Sequence, residues 1–281
     1  MSHTTITDSA AKLDRELPPA ISPRPLSRVG AGPLAASLAF AWRSLLKIRH
    51  VPEQLGDVIG IPILFTLLFT YLFGGALAGS TGKYLQSLLP GTLALAVVFV
   101  TVYSGVSLNR DLATGAFDRF RSLPVWRPAP IVGGLIGDLG RYLLASSLVI
   151  GLGLIMGFTA GGGPVGVIAA VVLVLTFASA LSWVWTALGL ILRSPEAVMN
   201  LGFVVLFPLT FMSNIFVDPQ TMPGWLRSIA QANPITHLAT AARGLMQGTA
   251  TVSEIIWVLA AAFALTALFA PLTTWLYQRR G

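Results

Sequence analysis

Few of the side chains that could do chemistry in this chain stand where a reaction needs them. Hydrolysis calls for a serine beside a histidine base, or for paired carboxylates. The histidines are His3, His50 and His237; the first two precede the apolar runs, and only His237 could meet a serine such as Ser213. Set between Thr236 and Leu238, it reads more simply as a solvated or helix-capping side chain. Gradient-driven transport calls instead for an ionisable group inside a span, where a proton or sodium ion needs a ligand. All eleven acids fall outside the middles of the apolar runs: five before residue 58, three within 108–141, then Glu196, Asp218 and Glu254. No GxxxxGK[ST] stretch is present to cradle nucleotide phosphates, so any ATP must be handled by another subunit. The chain has no cysteine, which removes disulfides, thiol redox chemistry and cysteine-ligated metals. What remains is one interior segment, 108–141, in which charge, proline and glycine gather.

The elements that must position that segment are set by composition. At 281 residues, 54% hydrophobic and 10% charged, with mean hydropathy +0.77, the chain has too little polar surface for a soluble globule of its size. The fold class is therefore all-α integral membrane protein, since only helices satisfy their own backbone in lipid here. Six windows are long enough to cross a hydrocarbon core of ~30 Å: about 58–77, 89–108, 142–158, 165–192, 197–217 and 255–275. The charge of +7 and pI near 10.4 would suggest nucleic acid in a soluble protein, but there is no basic, aromatic-interleaved face, and nucleic acid is not an expected partner. Lysines and arginines instead divide by side. Fifteen lie in the even loops and both termini, against three (Lys83, Arg227, Arg243) on the other side. The positive-inside rule then puts both termini in the cytoplasm. Residues 1–32, rich in proline and charge and without a signal-like apolar stretch, read as a disordered, uncleaved cytoplasmic tail, leaving 33–281 as one transmembrane domain.

Before span one, 33–51 places Leu34, Leu38, Trp42, Leu45 and Ile48 at helical spacing and Arg43, Lys47 and His50 on another face. This pattern predicts an amphipathic helix in the inner-leaflet interface, serving as an anchor or as a lever that couples a cytoplasmic partner to span one. After span five, 218–253 holds two short candidate helices, 223–231 and 234–246, that cannot cross; they are expected to dip back and cap the outer face, with Trp225 and Trp257 in an outer aromatic belt and Trp275 and Tyr277 in an inner one. Phe65, Phe69 and Phe73 repeat along span one, and Phe203, Phe207 and Phe211 along span five, while span four carries Trp183 and Trp185. Such stripes serve packing, lipid contact or a greasy path for planar cargo. Asn200 and Asn214 bring amides into or near the membrane, where each wants a partner across helices or on cargo.

Within 108–141, Arg110 and Asp111 mark the exit from span two and Gly115 permits a turn. Asp118, Arg119 and Arg121 then charge a short helix that also carries Phe117, Phe120 and Leu123, ended by Pro124. A short helix with aromatic knobs fits a groove on a partner. The competing reading lays it on the lipid surface, against which the acid Asp118 counts, since anionic lipid repels it.

Two segments resemble the ABC-2 type permeases, and within them the daunorubicin-resistance drug-exporter branch. The first is DLATGAFDRFRSLPVWRPAPIVGGLIGDLGR at 111–141, similar to that family's cytoplasmic loop with its Thr114-Gly115, DRFRSLP and late Asp-x-x-Arg elements. The second is FPLTFMSNIFVDPQTMPGWLRSIAQANPITHLATAARGL at 207–245, similar to its fifth-span exit, T-M-P-x-W-L and N-P-x-T-H elements, the last beginning at Asn233 and Pro234. The likeness runs over about 40–280. It implies a plasma-membrane permease dimer, from two copies or a homologous pair, docked to two separately encoded ATPase subunits that carry ATP and magnesium; the chain itself would hold no cofactor. It also implies that 33–51, with Arg43 and Lys47, and the helix around 115–123 contact the ATPase, and that Trp225, Asn233, Pro234 and His237 belong to an outer gate. Hydrophobic, often aromatic drugs are the implied cargo of this branch, with lipids and envelope glycans elsewhere in the family. One departure stands at Asn109-Arg110-Asp111, where many such permeases carry a glutamate-arginine pair.

Overall fold

The computed structural model describes residues 32–50, 60, 62–114 and 128–279, and among these the fold is entirely helical. Helix α1 is Pro33–His50 and α2 is Pro62–Ala76, which contains a π-helical turn at Phe69–Phe73. Helices α3 (Thr81–Val100) and α4 (Val102–Ala113) run on through Thr101 as one rod of 33 residues. They are followed by α5 (Ala129–Ile155), α6 (Gly163–Ile191) and α7 (Pro195–Phe211), then by the short α8 (Gly224–Ala232) and α9 (Pro234–Gln247) and the long α10 (Val252–Arg279). Capping residues fix several of these starts. Ser80 accepts from the Lys83 amide, Ser194 from Ala197, and Asn233 from Ile235, the last two followed by prolines at the first helical position, where a missing N–H costs nothing.

Among the described residues, four helices are long and apolar enough to cross a membrane: Thr81–Ala113, Ala129–Ile155, Gly163–Ile191 and Val252–Arg279; α2 and α7 are shorter apolar helices. The α3–α4 rod is the axis of the bundle, its apolar window 83% buried, whereas α10 is 11% buried and lies at the periphery. Around the rod, α5 packs on α3 and α6 on α4, with α10 outside α6, α7 beside α4, and α9 wedged between α3, α6 and α10. The helices approach closely where side chains vanish. A Cβ on Gly105 would run into the Trp185 carbonyl, one on Gly189 into the Gly105 carbonyl, and one on Gly202 into Val102. Without a strong hydrophobic drive between helices in lipid, such backbone approach supplies the packing energy.

Helix α1 packs on the protein through its small residues. Its large apolar residues Leu34, Leu38 and Trp42 are exposed, while the small Ser37 and Ala41 are buried against α5. There a Cβ on Gly133 would meet Phe40 and the Ser37 carbonyl. The large apolar stripe is thus left uncovered and the small stripe meets α5.

Several expected boundaries are corrected. The segment 108–141 is not a loop throughout: helix α4 reaches Ala113 and helix α5 starts at Ala129, so Asp138 and Arg141 stand inside a helix expected to begin at 142. Residues 129–137 are apolar or glycine, and Pro130 in the first turn is harmless, so nothing stops the helix from starting early. Asp138, expected in the loop, is instead 5% exposed within the N-terminal half of α5. At the other extreme, the stretch expected to end at 217 leaves helix at Phe211, where Ser213 takes over the Thr210 carbonyl and 212–217 folds as turns. Residues 1–31 and 115–127, and with them the tail and the short charged helix read from sequence, lie outside the described residues.

Replacing Gly105 by alanine should overpack the α4–α6 crossing and lower stability by about 1–3 kcal/mol. Gly134→Ala, where nothing lies within 4 Å of the new Cβ, should be neutral or slightly stabilising. Thermal unfolding of the two variants in detergent distinguishes these outcomes.

Candidate functional site

Polar side chains collect at the two ends of the bundle, one bearing α1 and the other bearing α9. At the α1 end, Arg43 of α1 lies 3.9 Å from Asp111 of α4. Both side chains are partly exposed, so the pair orients α1 rather than stabilising it appreciably. Next to it, Asn109 is buried and its amide donates to the carbonyls of Gly189 and Leu192, each at 2.8 Å, closing the open C-terminal end of α6. Arg141 donates to Asp138 at 2.6 Å, both side chains under a tenth exposed. One turn on, the Tyr142 hydroxyl lies 2.5 Å from Ser182 of α6 and 3.1 Å from Ser104 of α4. Because Ser182 donates to the Ala178 carbonyl, Tyr142 donates to Ser182 and Ser104 donates to Tyr142, joining three helices by one hydroxyl chain.

The α9 end is held by amides and arginines. Gln86 of α3 donates to the Gly157 carbonyl and accepts from the Thr159 amide, and its own carbonyl accepts from Gln247 of α9. Asn233 caps α9 and donates to the Leu209 carbonyl of α7, while Asn214 donates to Thr240. Arg243 donates through Nε to the Ser87 carbonyl at 2.9 Å and through Nη2 to that of Asn214 at 3.1 Å. Burial holds its pKa below the ordinary arginine value, with Asp218 and Tyr84 opposing. Arg227 is similarly turned onto the carbonyls of Pro219, Gln220 and Met222. Both arginines at this end thus donate to main-chain carbonyls.

Of the residues singled out in sequence, Asp111, Thr114 and Arg43 gather at the α1 end, and Lys47 lies within α1. Gly115, Phe117, Asp118, Arg119, Phe120 and Arg121 lie outside the described residues. The two phenylalanine stripes do meet. Phe65 and Phe69 of α2 lie 6.0 and 6.5 Å from Phe211 of α7, and Phe216 stacks on Phe69 at 4.2 Å; Phe207 stacks on Phe211 at 4.3 Å. Phe203 reaches Phe99. Phe203, Phe207 and Phe211 keep an exposed edge, and Asn200 is exposed beside them. Trp185 departs from the path expected for it: its side chain is buried at 2% exposure and lines no surface, while its carbonyl abuts Gly105 of α4. Trp183 is half-buried, its carbonyl accepting from Thr273. Trp225 is exposed on α8, and His237 is not near Ser213 in any hydrogen bond but stacks on Trp257 at 6.0 Å. Sequence reasoning missed Gln86, Tyr84 and Arg243 as ties. Their signal was faint, a glutamine or arginine in an otherwise apolar helical face.

The geometry defines a helical membrane protein with two polar ends, one bearing α1 and the other the short helices α8 and α9, and an aromatic seam along α2 and α7. The chain belongs to the ABC-2 type transporter family, whose pattern it matches over residues 36–247. It is 48% identical over 248 residues to the daunorubicin resistance ABC transporter permease protein DrrB1 of Streptomyces coeruleorubidus, covering 88% of each chain. It is also 24% identical over 242 residues to the doxorubicin resistance ABC transporter permease protein DrrB of Mycobacterium tuberculosis, covering 85% of this chain and 81% of that one. A probable doxorubicin resistance permease of the same organism, DrrC, is 22% identical over 218 residues, or 75% of this chain and 76% of its own.

Breaking the Asp138–Arg141 pair from one side, by Asp138→Leu or Arg141→Leu, should lower stability by about 3–5 kcal/mol, because a charge is left buried. The double variant should recover much of that loss. A double-mutant cycle on thermal unfolding reads the coupling directly.

Proposed function

We propose that this chain is the permease subunit of an ATP-driven exporter that moves hydrophobic, amphiphilic compounds out of a bacterial cell and so confers resistance to them. The observation that carries this reading is the 48% identity, over nearly the whole chain, to a permease named for daunorubicin resistance. The chain crosses the plasma membrane six times, α2 and α7 joining the four long helices as the shorter spans, with both termini in the cytoplasm. Helices α8 and α9 cap the outer side. Two permeases, identical or homologous, pair in the membrane and two ATPase subunits dock beneath them, binding ATP and magnesium.

In this reading the α1 end receives the force. ATP-driven closure of the ATPase pair displaces the segment 115–123 and α1. Because α1 is seated on α5 at Gly133 and tied to α4 through Arg43 and Asp111, it transmits the displacement to the bundle. Cargo passes the aromatic seam of α2 and α7, where Phe65, Phe69, Phe203, Phe207 and Phe211 offer ring faces and Asn200 and Asn214 offer amides. The gate is formed by Trp225, Asn233, Pro234 and His237. The polar tie of Asn233 to the Leu209 carbonyl supports this, since moving α9 must pull on α7. A lipid or envelope-glycan exporter of the same family is the second reading, but the aromatic seam favours planar apolar cargo over a hydrated glycan.

Deleting 115–123 should leave the chain inserted in the membrane but unable to retain its ATPase on co-purification; full retention would refute the coupling assignment. Expression with the ATPase encoded beside it should raise the daunorubicin concentration a sensitive host tolerates. An unchanged threshold, with the complex assembled, would move the cargo to lipid or glycan.

A further inference from the structure

A cavity of about 440 Å³ opens at the α9 end, lined by Tyr84 and Ser87 of α3, the turns from Asn214 to Asp218, Thr221 and Arg243. Its size lies in the lower part of the roughly 300–1,000 Å³ usual for small-molecule sites. Two opposite charges face into it. A guanidinium has five N–H donors; Arg243 uses one at Nε and one at Nη2 on carbonyls, and among the described residues Nη1 has no partner. A half-sunk cation with spare donors is a receptor for an oxyanion, and its planar fork suits phosphate. Asp218 stands exposed on the same wall. Its Oδ1 accepts from the Gln220 amide, and among the described residues no ion pair joins it to Arg243. The rest of the wall is apolar: Ala78, Ile215, Phe216, Val217 and Pro219.

The level of the cavity in the membrane says what can reach it. Helix α5 has 27 residues, about 40 Å at 1.5 Å per residue. Helix α1 sits at its N-terminal end, while Gln86 ties the α5–α6 turn to α3 and α9 at the other. The cavity is therefore about one full bilayer, headgroups included, away from the interfacial helix α1. We infer that it is a binding site for the headgroup of a zwitterionic phospholipid, the phosphate on Arg243 and the primary ammonium on Asp218. An anion alone would satisfy Arg243 and leave Asp218 repelling it; an amine alone would meet Arg243 unfavourably. Only a group with both charges uses both walls, and the apolar lining takes up the glycerol and the first acyl carbons. The cavity adjoins the aromatic seam, sharing Phe216 and Asn214 with it, but the two charges that define the site belong to neither phenylalanine stripe.

The test is native mass spectrometry of the full chain, stripped of lipid in detergent and titrated with short-chain phosphatidylethanolamine, phosphatidylglycerol or inorganic phosphate. Phosphatidylethanolamine should bind about fivefold more tightly than phosphatidylglycerol, the scale of one exposed charge pair, and phosphate should not compete at equal concentration. Asp218→Asn keeps the acceptor for the Gln220 amide and should erase the preference between the two lipids, with binding to both retained. Arg243→Gln should abolish both. Equal binding of the two lipids by the unaltered chain, or an undiminished preference in Asp218→Asn, would overturn the assignment even if the Arg243 variant failed to fold. Competition by phosphate as strong as by the lipid would show a free-anion site instead.

Discussion

Close approach of helix backbones at glycine is the constraint on which the rest of this structure depends. Lipid is as apolar as leucine, so apolar side chains gain little by leaving it, and helices must find their attraction in contact area and polar ties. At Gly105 and Gly189 the rod and α6 meet backbone to backbone, and the same device seats Gly202 on Val102, Gly133 on α1, and Gly162 and Gly166 on the C-terminal end of α9. Each contact admits no Cβ without displacement. The bundle is therefore a set of fixed crossings rather than a greasy cluster free to slide, and its motions must take place between groups of helices that are not locked in this way.

Polar ties complete what the glycines begin, and they are placed by depth. Toward the α1 end the Tyr142 hydroxyl chain joins α4, α5 and α6, and the Asp138–Arg141 pair within α5 lets two buried charges neutralise each other. At the other end, Gln86, Asn233 and Arg243 each reach a main-chain carbonyl on a different element, so α9 is hydrogen-bonded to α3, to α7 and to the turns that follow it. Between these ends the contacts are apolar and, along α2 and α7, aromatic. An arrangement with two cross-linked ends and a repackable seam between them is suited to moving one end by pushing on the other.

Much of this was legible in the residues, for reasons that can be named. Apolar length marked the helices: the windows beginning at 165 and 197 fall close to the starts of α6 at Gly163 and α7 at Pro195, and the candidate helix 234–246 coincides with α9. The start of α5 was misplaced because Asp138 and Arg141 were read as loop charges one at a time; three residues apart on a helix they neutralise each other, and only the pair is compatible with burial. The stripe on α1 was read correctly as apolar, but which face meets protein depends on Gly133, a residue ninety positions away and invisible to periodicity. Trp185 was open to the path reading because aromatic stripes have no sign that separates lining from packing; only the three-dimensional packing shows its side chain to be buried.

The central claim is that α1 and α5 form one rigid lever through the contact at Gly133. Because the chain has no native cysteine, two can be introduced and spin-labelled without background, at the exposed Trp42 on α1 and the exposed Leu143 on α5. The distance between the labels should then be measured in the membrane with the ATPase bound, in the nucleotide-free and ATP-trapped states. A single narrow distance, the same in both states, is what the account predicts. A distribution that broadens or shifts when ATP is trapped would show α1 hinging free of α5 and would contradict it.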